Sequence, residues 1–256
     1  MEHFWGMTEI ASAHGGDIDR LIAYIHYLML ALFVFWGGFF ILALIKFRGS
    51  RPGPADYAGV KGKFSTYLEV VVALIEAVLL IGFSIPLWAE RVNEFPTDKA
   101  NEVRLVAEQF AWNVHYPGPD GVFGKTSIDL VNNETNPIGL DRNDPAAADD
   151  ITTINQLHLE NNKPIIVHLS SKDVIHSFGI PHMRIKHDVI PGMSIPVWFT
   201  PVKTGAFEIA CAQLCGLGHY RMKGFVTVHE PTEYQAWMDE QAALLAEEGE
   251  GDDFWD

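Results

Sequence analysis

Two long apolar runs near the N-terminus constrain the fold of this chain more than any other feature of its 256 residues. Residues 21–45 carry no formal charge, and residues 70–87 carry only the charge of Glu76. A run of about 20 apolar residues is long enough to cross a bilayer as a helix. A buried core helix is the alternative for either run alone. Two such runs joined by a short loop favour a transmembrane hairpin, which we place at residues 21–45 and 67–88.

Charges on either side of the runs predict how the hairpin is oriented. The loop at residues 46–66 contains five basic residues and one acid, whereas residues 1–20 contain four acids and one arginine. Basic loops stay on the cytoplasmic side of a membrane. The loop is therefore predicted to be cytoplasmic, and the N-terminal segment and everything after the second run to lie on the outer face.

From about residue 95 the sequence changes to short apolar segments separated by Pro, Gly, Asn and Asp, which is typical of an all-β domain. The pattern predicts six strands, at residues 102–116, 156–160, 164–170, 195–200, 205–210 and 224–229. Six strands at this spacing favour a Greek-key sandwich or barrel within residues 95–230.

Two further segments of the outer region differ from this strand pattern. Residues 129–150 are rich in Asn, Asp and Ala and are predicted to be a surface insertion. Residues 231–256 are predicted to form a C-terminal helix over 232–246 and then an acidic tail. Phe254 and Trp255 are unusual in such a tail, and a role in docking on a neighbouring protein would explain them.

Both cysteines of the chain lie within the segment CAQLCGLGHYRM, which begins at Cys211 and also contains Cys215, His219 and Met222. Thiolate and imidazole ligands suit copper or zinc, but a thioether is a ligand for copper rather than for zinc. Two thiolates can also bridge two copper ions. A disulfide, or a zinc site completed by another histidine, is the alternative that these residues leave open.

A copper site of this kind needs a second imidazole, and residues 173–192 contain three histidines. His176 is the favoured ligand because it follows an extended segment and has apolar neighbours that would exclude water. His182 and His187 lie among charged and turn residues, where a surface histidine is the simpler interpretation.

The segments DVIHSFGIP, KHDVIPG and CAQLCGLGHYRM resemble, in order and spacing, the binuclear copper (CuA) domain of cytochrome c oxidase subunit II. The resemblance implies a cupredoxin fold for the all-β domain. It also implies two bridging thiolates, one imidazole for each copper ion, a weak thioether ligand and a backbone carbonyl ligand, which fall here on Cys211, Cys215, His176, His219, Met222 and Gln213.

The same resemblance implies a function and a location. Subunit II of a haem-copper oxidase accepts electrons from a c-type cytochrome and relays them to the haems of subunit I, where oxygen is reduced to water and protons are translocated. The chain would belong to a bacterial inner membrane or its equivalent, with the copper domain on the periplasmic face. It would not be catalytic by itself. The alternative is a membrane-tethered module that delivers copper or zinc without electron relay.

Residues after Pro96 include 24 acids and 11 basic residues, so the outer domain is strongly acidic. An acidic surface argues against nucleic acid as a partner and suits a basic electron donor. Asp173 and Asp188 flank the His176 segment and are the candidate docking acids. The chain has no CxxCH motif for covalent haem, so its electrons must come from another polypeptide.

Two positions depart from the pattern of the family. Many members have tryptophan at the electron-input position after the Gln of an aromatic cluster, whereas this chain has Phe110, with Trp112 predicted on the same face of one strand. Many members also have Glu where this chain has Gln213. An amide oxygen is a weaker ligand for a hard cation, which weakens the case for a magnesium site at the interface with subunit I.

Two acids in or near the second apolar run require an explanation, because ionisable groups are costly in a membrane. Glu69 aligns with a family glutamate at the mouth of a proton path into subunit I, although simple exposure at the membrane interface would also explain it. Glu76 lies two turns deeper and is expected to pack against a polar group of a partner.

Overall fold

The structure is a computed structural model that describes residues 6–49, 53, 61–96 and 100–252, with side chains described as far as residue 247. The chain forms two compact units. Residues 17–94 form a helical unit, and residues 95 onward form the second unit together with the N-terminal segment up to residue 16.

The helical unit contains the two predicted apolar helices. Helix α1 spans Gly15–Lys46, α2 spans Phe64–Leu79 and α3 spans Ile85–Asn93, while a single π-helical turn, Leu80–Ser84, joins α2 to α3. The stretches of 32 and 30 residues are long and apolar enough to cross a membrane.

The π-helical turn ends at Ser84, two residues before Pro86. Proline has no N–H to donate to the carbonyl four residues earlier, and its ring crowds that carbonyl. Widening the helix by one residue per turn relieves the crowding and keeps the apolar run helical.

The second unit is a sandwich of two five-stranded sheets. Its strands are β1 (Asn101–Glu108), β2 (Ala111–Tyr116), β3 (Ile151–Ile154), β4 (Gln156–Glu160), β5 (Ile165–Ser171), β6 (His176–Ile180), β7 (Ile185–Val189), β8 (Ile195–Phe199), β9 (Gly205–Cys211) and β10 (Lys223–His229). One sheet has the order β3-β2-β1-β5-β8, and the other has the order β4-β10-β9-β6-β7.

Alternating apolar side chains from both sheets fill the space between them. In β1 the buried residues are Val103, Leu105 and Ala107, which alternate with partly exposed residues. β6 is buried along its whole length, including His176. This burial removes His176 from water, and the pairing of Phe178 with Cys211 brings β6 beside the end of β9. The predicted sandwich with a C-terminal helix is therefore confirmed.

The strand predictions needed two corrections. The predicted strand at residues 102–116 is wrong, because the chain turns at Gln109 and Phe110 and returns as β2 beside β1. Phe110 and Trp112 consequently do not share one face of a single strand. Strands β3, β6 and β7 were not predicted, and the last two are short strands that enclose a turn.

The insertion at residues 129–150 is more ordered than its polar sequence predicts. Ile138, Leu140 and Ala147 are buried in a small apolar cluster of their own. The carboxylate of Asp150 lies 2.6 Å from Nε2 of His115 on β2 and accepts a bond from the backbone of Gly124. A buried polar group needs such partners, and here they attach the insertion to the sandwich.

Residues before α1 also pack on the sandwich, which the sequence did not predict. The backbone N–H of Ala11 donates to the carbonyl of His182, and that of Ala13 donates to the carbonyl of Thr200. Ser12 donates its hydroxyl to the carbonyl of Met183. The N-terminal segment therefore belongs to the β unit.

Helix α4 spans Pro231–Asp252 and follows β10 directly. Trp237 stacks on the ring of His158 in β4 with a centroid separation of 4.2 Å. The predicted C-terminal helix is thus present and longer than expected. Phe254 and Trp255 lie outside the described residues.

Candidate metal centre

The two ligand segments meet at one end of the second sheet. His176 opens β6, and Cys211 ends β9, its antiparallel neighbour. The backbone N–H of Ala212 donates to the carbonyl of Ser177 at 2.9 Å. The loop between β9 and β10, residues 212–222, which we call the copper loop, is thereby attached to β6 at its first residue.

Three side chains and one backbone carbonyl converge on the two thiols. The Sγ atoms of Cys211 and Cys215 are 3.7 Å apart. Around them lie two imidazole nitrogens, one thioether and one backbone oxygen: His176 Nδ1 is 4.0 Å from Cys211 Sγ, Gln213 O is 3.2 Å from Cys211 Sγ, His219 Nδ1 is 3.7 Å from Cys215 Sγ, and Met222 Sδ is 3.6 Å from Cys215 Sγ.

The two cysteines are free thiols rather than a disulfide. Their separation of 3.7 Å is well beyond the length of a sulfur–sulfur bond, about 2.05 Å. Burial and the adjacent Cys211 raise the pKa of the Cys215 thiol to about 11. A metal ion would therefore have to displace protons from this pair on binding.

This donor set fits copper better than the alternatives. The two thiols and the four groups around them offer six donors, whereas a structural zinc ion takes four. The thioether of Met222 is 2% exposed and directed at a thiol, as a soft ligand for copper would be. Two adjacent thiols, each with an imidazole nitrogen nearby, form a group that could hold a metal ion.

The structure distinguishes the three candidate histidines of residues 173–192. His176 is fully buried and belongs to the His176, Cys211 and Cys215 group, whose donor atoms all lie within 4.8 Å of one another. His182 packs its ring against Phe207, and His187 is exposed on β7. Only His176 of these three reaches the thiols.

Asp173 lies closer to the metal centre than the sequence suggested. Its Oδ1 is 2.9 Å from Nε2 of His176, and its Oδ2 accepts a bond of 2.7 Å from the backbone of Gln109. Partial burial acts to raise the pKa of Asp173, but these bonds and one from Val174 outweigh it and lower the pKa. Metal-bound histidines commonly donate their second nitrogen to a carboxylate.

Phe110 covers the copper loop. A Cβ on Gly218 would lie 2.4 to 2.7 Å from carbons of the Phe110 ring, and one on Gly216 would lie 3.3 Å from it. Gly218 therefore has to be glycine so that the ring can approach the backbone between Cys215 and His219, whereas Gly216 has a φ of +133°, a backbone conformation that favours glycine. Only the spacing of the two glycines hinted at this contact in the sequence.

Trp112 is fully buried beneath the centre instead of lying at the surface. Its ring centroid is 6.1 Å from that of His176 and 5.9 Å from that of Phe178. Trp112 is therefore in contact with a ligand ring but has no exposed face for a donor.

The remaining predicted residues are exposed. The side chain of Asp188 is 53% exposed on β7 and is 3.8 Å from Lys186. Glu69 and Glu76 are exposed on α2, and a separation of seven residues puts them on the same helix face. Gln213 is exposed, and its carbonyl contacts Cys211.

Comparison with known proteins identifies relatives of this chain. The family model for the periplasmic domain of cytochrome c oxidase subunit II matches residues 102–228. An alternative cytochrome c oxidase subunit 2 of Bradyrhizobium diazoefficiens is 33% identical over 246 residues, covering 96% of this chain and 87% of that protein. A cytochrome c oxidase subunit 2 of Synechocystis sp. is 26% identical over 258 residues, covering 94% and 77% respectively.

A crystal structure of the periplasmic domain of subunit II of cytochrome oxidase from Bradyrhizobium japonicum is 27% identical. The match covers 59% of this chain and 99% of that one, with a TM-score of 0.43. The extended match to the Bradyrhizobium diazoefficiens protein includes both apolar helices and the sandwich. A membrane-anchored chain with an external copper-binding domain of this kind belongs to the cytochrome c oxidase subunit II family.

Proposed function

We propose that this chain holds a binuclear copper centre and relays electrons from a c-type cytochrome to the haems of oxidase subunit I. The observation that carries the proposal is the convergence of two thiols, two imidazole nitrogens, a thioether and a carbonyl within 4.0 Å of one sulfur or the other. When bound, a copper pair of this kind supplies reversible one-electron transfer with little change in geometry.

The protein residues would contribute rigidity and exclude water. Cys211, Cys215, His176 and Met222 are all at most 9% exposed. His176 is fixed by a strand on one side and by Asp173 on the other. Among the described donors, only His219 and the Gln213 carbonyl lie outside this buried group. Little space therefore remains for a substrate. This arrangement suits a relay and not a catalytic metal site, which keeps an open position.

The exposed face of the copper loop supports a protein partner. Leu214, Leu217 and Tyr220 are 77%, 97% and 86% exposed. Three large apolar side chains on one short loop are unusual on a free surface and are typical of a contact surface. We assign this surface to contact with other oxidase subunits, and Phe110, Asp173 and Asp188 to the region that receives the donor.

Glu69 is proposed to serve the proton path into subunit I. It is exposed on α2, and Glu76 lies on the same helix face. A helix face with two acids in an apolar segment requires a polar partner, which a neighbouring subunit would provide. Glu76 is proposed to pack against such a partner group. Magnesium binding at Gln213 is not part of the proposal, since an amide is a weaker ligand than a carboxylate.

Both termini are proposed to lie on the outer face of the membrane. Residues 1–20 contain four acids and one arginine, so the segment before α1 is expected on the outer face. A hairpin of two spans returns the chain to that same side, which agrees with the basic loop being cytoplasmic.

Metal analysis and spectroscopy of the purified oxidase complex test the relay. We expect two copper ions per copy of this chain and, in the mixed-valence form, hyperfine coupling to two copper nuclei. Cys215→Ser should abolish the shared-electron signal. The control Ser127→Ala should leave that signal unchanged. A single metal per chain, or a colourless site, would instead support the alternative of a metal-delivery module.

A further inference from the structure

We propose that Gln109 is a positioning residue that holds the copper loop through its side-chain amide, an inference that rests on the copper centre proposed above. Gln109 is not a ligand, and it precedes Phe110 in the aromatic cluster rather than lying in the ligand segments. It belongs to the two-residue turn between β1 and β2, far from the copper loop in sequence. The Gln109 amide and the neighbouring Phe110 ring both contact that loop.

The amide of Gln109 contacts the loop between two of its ligands. Its Nε2 donates a bond of 2.6 Å to the backbone carbonyl of Cys215. The carbonyl can only accept, so the nitrogen of the amide must face it. The bond fixes the peptide that follows Cys215, and therefore the start of the short segment that leads to His219.

Gln109 also connects this loop to the other ligand segment. Its backbone N–H donates to Oδ2 of Asp173, while Oδ1 of the same carboxylate contacts His176. One residue of the β1–β2 turn is thus bonded, directly or through one carboxylate, to segments that hold a thiol and the buried imidazole. The two ligand segments are in different parts of the chain, and this turn links them.

Packing by the adjacent residue supports the same role. Phe110 lies against Gly216 and Gly218, which are on either side of the exposed Leu217. The guanidinium of Arg221 lies 6.0 Å from the centre of the Phe110 ring. Packing of Phe110 thus already holds the copper loop against the β1–β2 turn. Because the loop is held in place, the hydrogen bond from the Gln109 amide costs less conformational entropy.

Gln109→Met tests the bond, because methionine has a similar length and no donor. In the full chain within its complex, we expect copper to be lost to a chelator about tenfold faster or more, as is usual when an outer partner of a ligand is removed. The midpoint potential and the copper hyperfine pattern should also change. Gln156→Met is the matched control, because Gln156 is an exposed glutamine on β4, and it should match the wild type in all three measurements.

Thermal unfolding of the copper-free protein separates positioning from general stability. Gln109 is exposed, so Gln109→Met should leave the midpoint temperature of unfolding at the wild-type value. A variant with the wild-type potential, hyperfine pattern and rate of copper loss would overturn the inference. So would a variant whose faster copper loss simply follows a lower unfolding midpoint with an unaltered spectrum. If the wild type itself held fewer than two coppers, the proposed function would fail first, and this inference with it.

Discussion

Oδ1 of Asp173 lies 2.9 Å from Nε2 of His176, while Nδ1 of the same imidazole points toward the thiol of Cys211. The carboxylate therefore sets the orientation of a buried ring whose other nitrogen is a proposed ligand. Asp173→Asn removes the negative charge and allows the amide to rotate. We expect copper affinity to fall by roughly 10- to 100-fold. Competition with a chelator of known affinity measures the change.

Asp188→Asn is the matched control for that prediction. Asp188 is exposed on β7 and lies 3.8 Å from Lys186 rather than beside a ligand. Its replacement should leave copper affinity unchanged and weaken the salt dependence of electron uptake from a basic c-type cytochrome. Equal copper affinity in the two variants would contradict an orienting role for Asp173.

The contact between Gly218 and Phe110 predicts a non-additive pair of substitutions. Gly218→Ala would bring a methyl group within 2.4 to 2.7 Å of the Phe110 ring, although the backbone of Gly218, with φ −92°, accepts alanine. Overpacking of this kind costs about 1 to 3 kcal/mol. We expect the variant to lose copper faster than the wild type.

Removing the ring should relieve that clash. The double variant with Phe110→Ala and Gly218→Ala is expected to lose copper more slowly than the sum of the two single effects predicts. Stopped-flow reduction and copper release, measured on all four proteins, complete a double-mutant cycle. Strictly additive effects would show that the ring and the loop are not in contact.

Acidification is expected to loosen α4 from the sandwich. His158 stacks between Trp237 of α4 and His229 of β10, with its Nδ1 2.8 Å from Nε2 of His229. Burial and the neighbouring His229 lower the pKa of His158 to about 4, and burial lowers the pKa of His229 while Glu233 opposes that shift. Tyr116 and Tyr234, whose pKa values are raised by burial, stay neutral in this range.

The lowered histidine pKa values determine how the docking of α4 depends on pH. An ordinary histidine has a pKa of 6.5, so between pH 6.5 and about 4 the undocked form binds more protons than the docked form. The stabilising contribution is complete above pH 6.5 and is lost as the pH falls through this window. Hydrogen exchange of residues 231–247, corrected for intrinsic rates, should show lower protection at pH 5 than at pH 7.

His158→Phe separates titration from packing. Phenylalanine preserves a flat ring beside Trp237 but cannot be protonated. Protection of α4 in this variant should change less between pH 7 and pH 5 than in the wild type. An unchanged loss of protection would assign the effect to other groups.

Glu69→Ala is expected to slow proton-coupled steps at the oxygen-reducing centre without changing reduction of the copper centre. The residue is exposed on α2 and lies far along the chain from every copper ligand. Glu76→Ala offers the comparison, since it removes an acid from the same helix face two turns further along α2. Time-resolved reduction of each centre separates the two steps, and normal rates in Glu69→Ala would contradict the assignment.

The sequence determined the features that depend on local pattern. Apolar runs of sufficient length gave the two spans, and the strands with clear alternation were located within a residue or two, as in Gln156–Glu160. The proposed side-chain ligands could also be predicted, because Cys211, Cys215, His219 and Met222 lie in one short segment with a distinctive set of donors. Such chemistry is visible without a fold.

Only the tertiary structure decided the relationships between distant segments. The turn at Gln109 and Phe110 could not be recognised because the residues on both sides continue a strand-like pattern. Its contact with the loop at Gly218 joins residues more than 100 positions apart, and no local preference encodes such a contact. Asp173 likewise looked like a surface acid, and only the pairing of β6 with β9 brings it and His176 to the thiols.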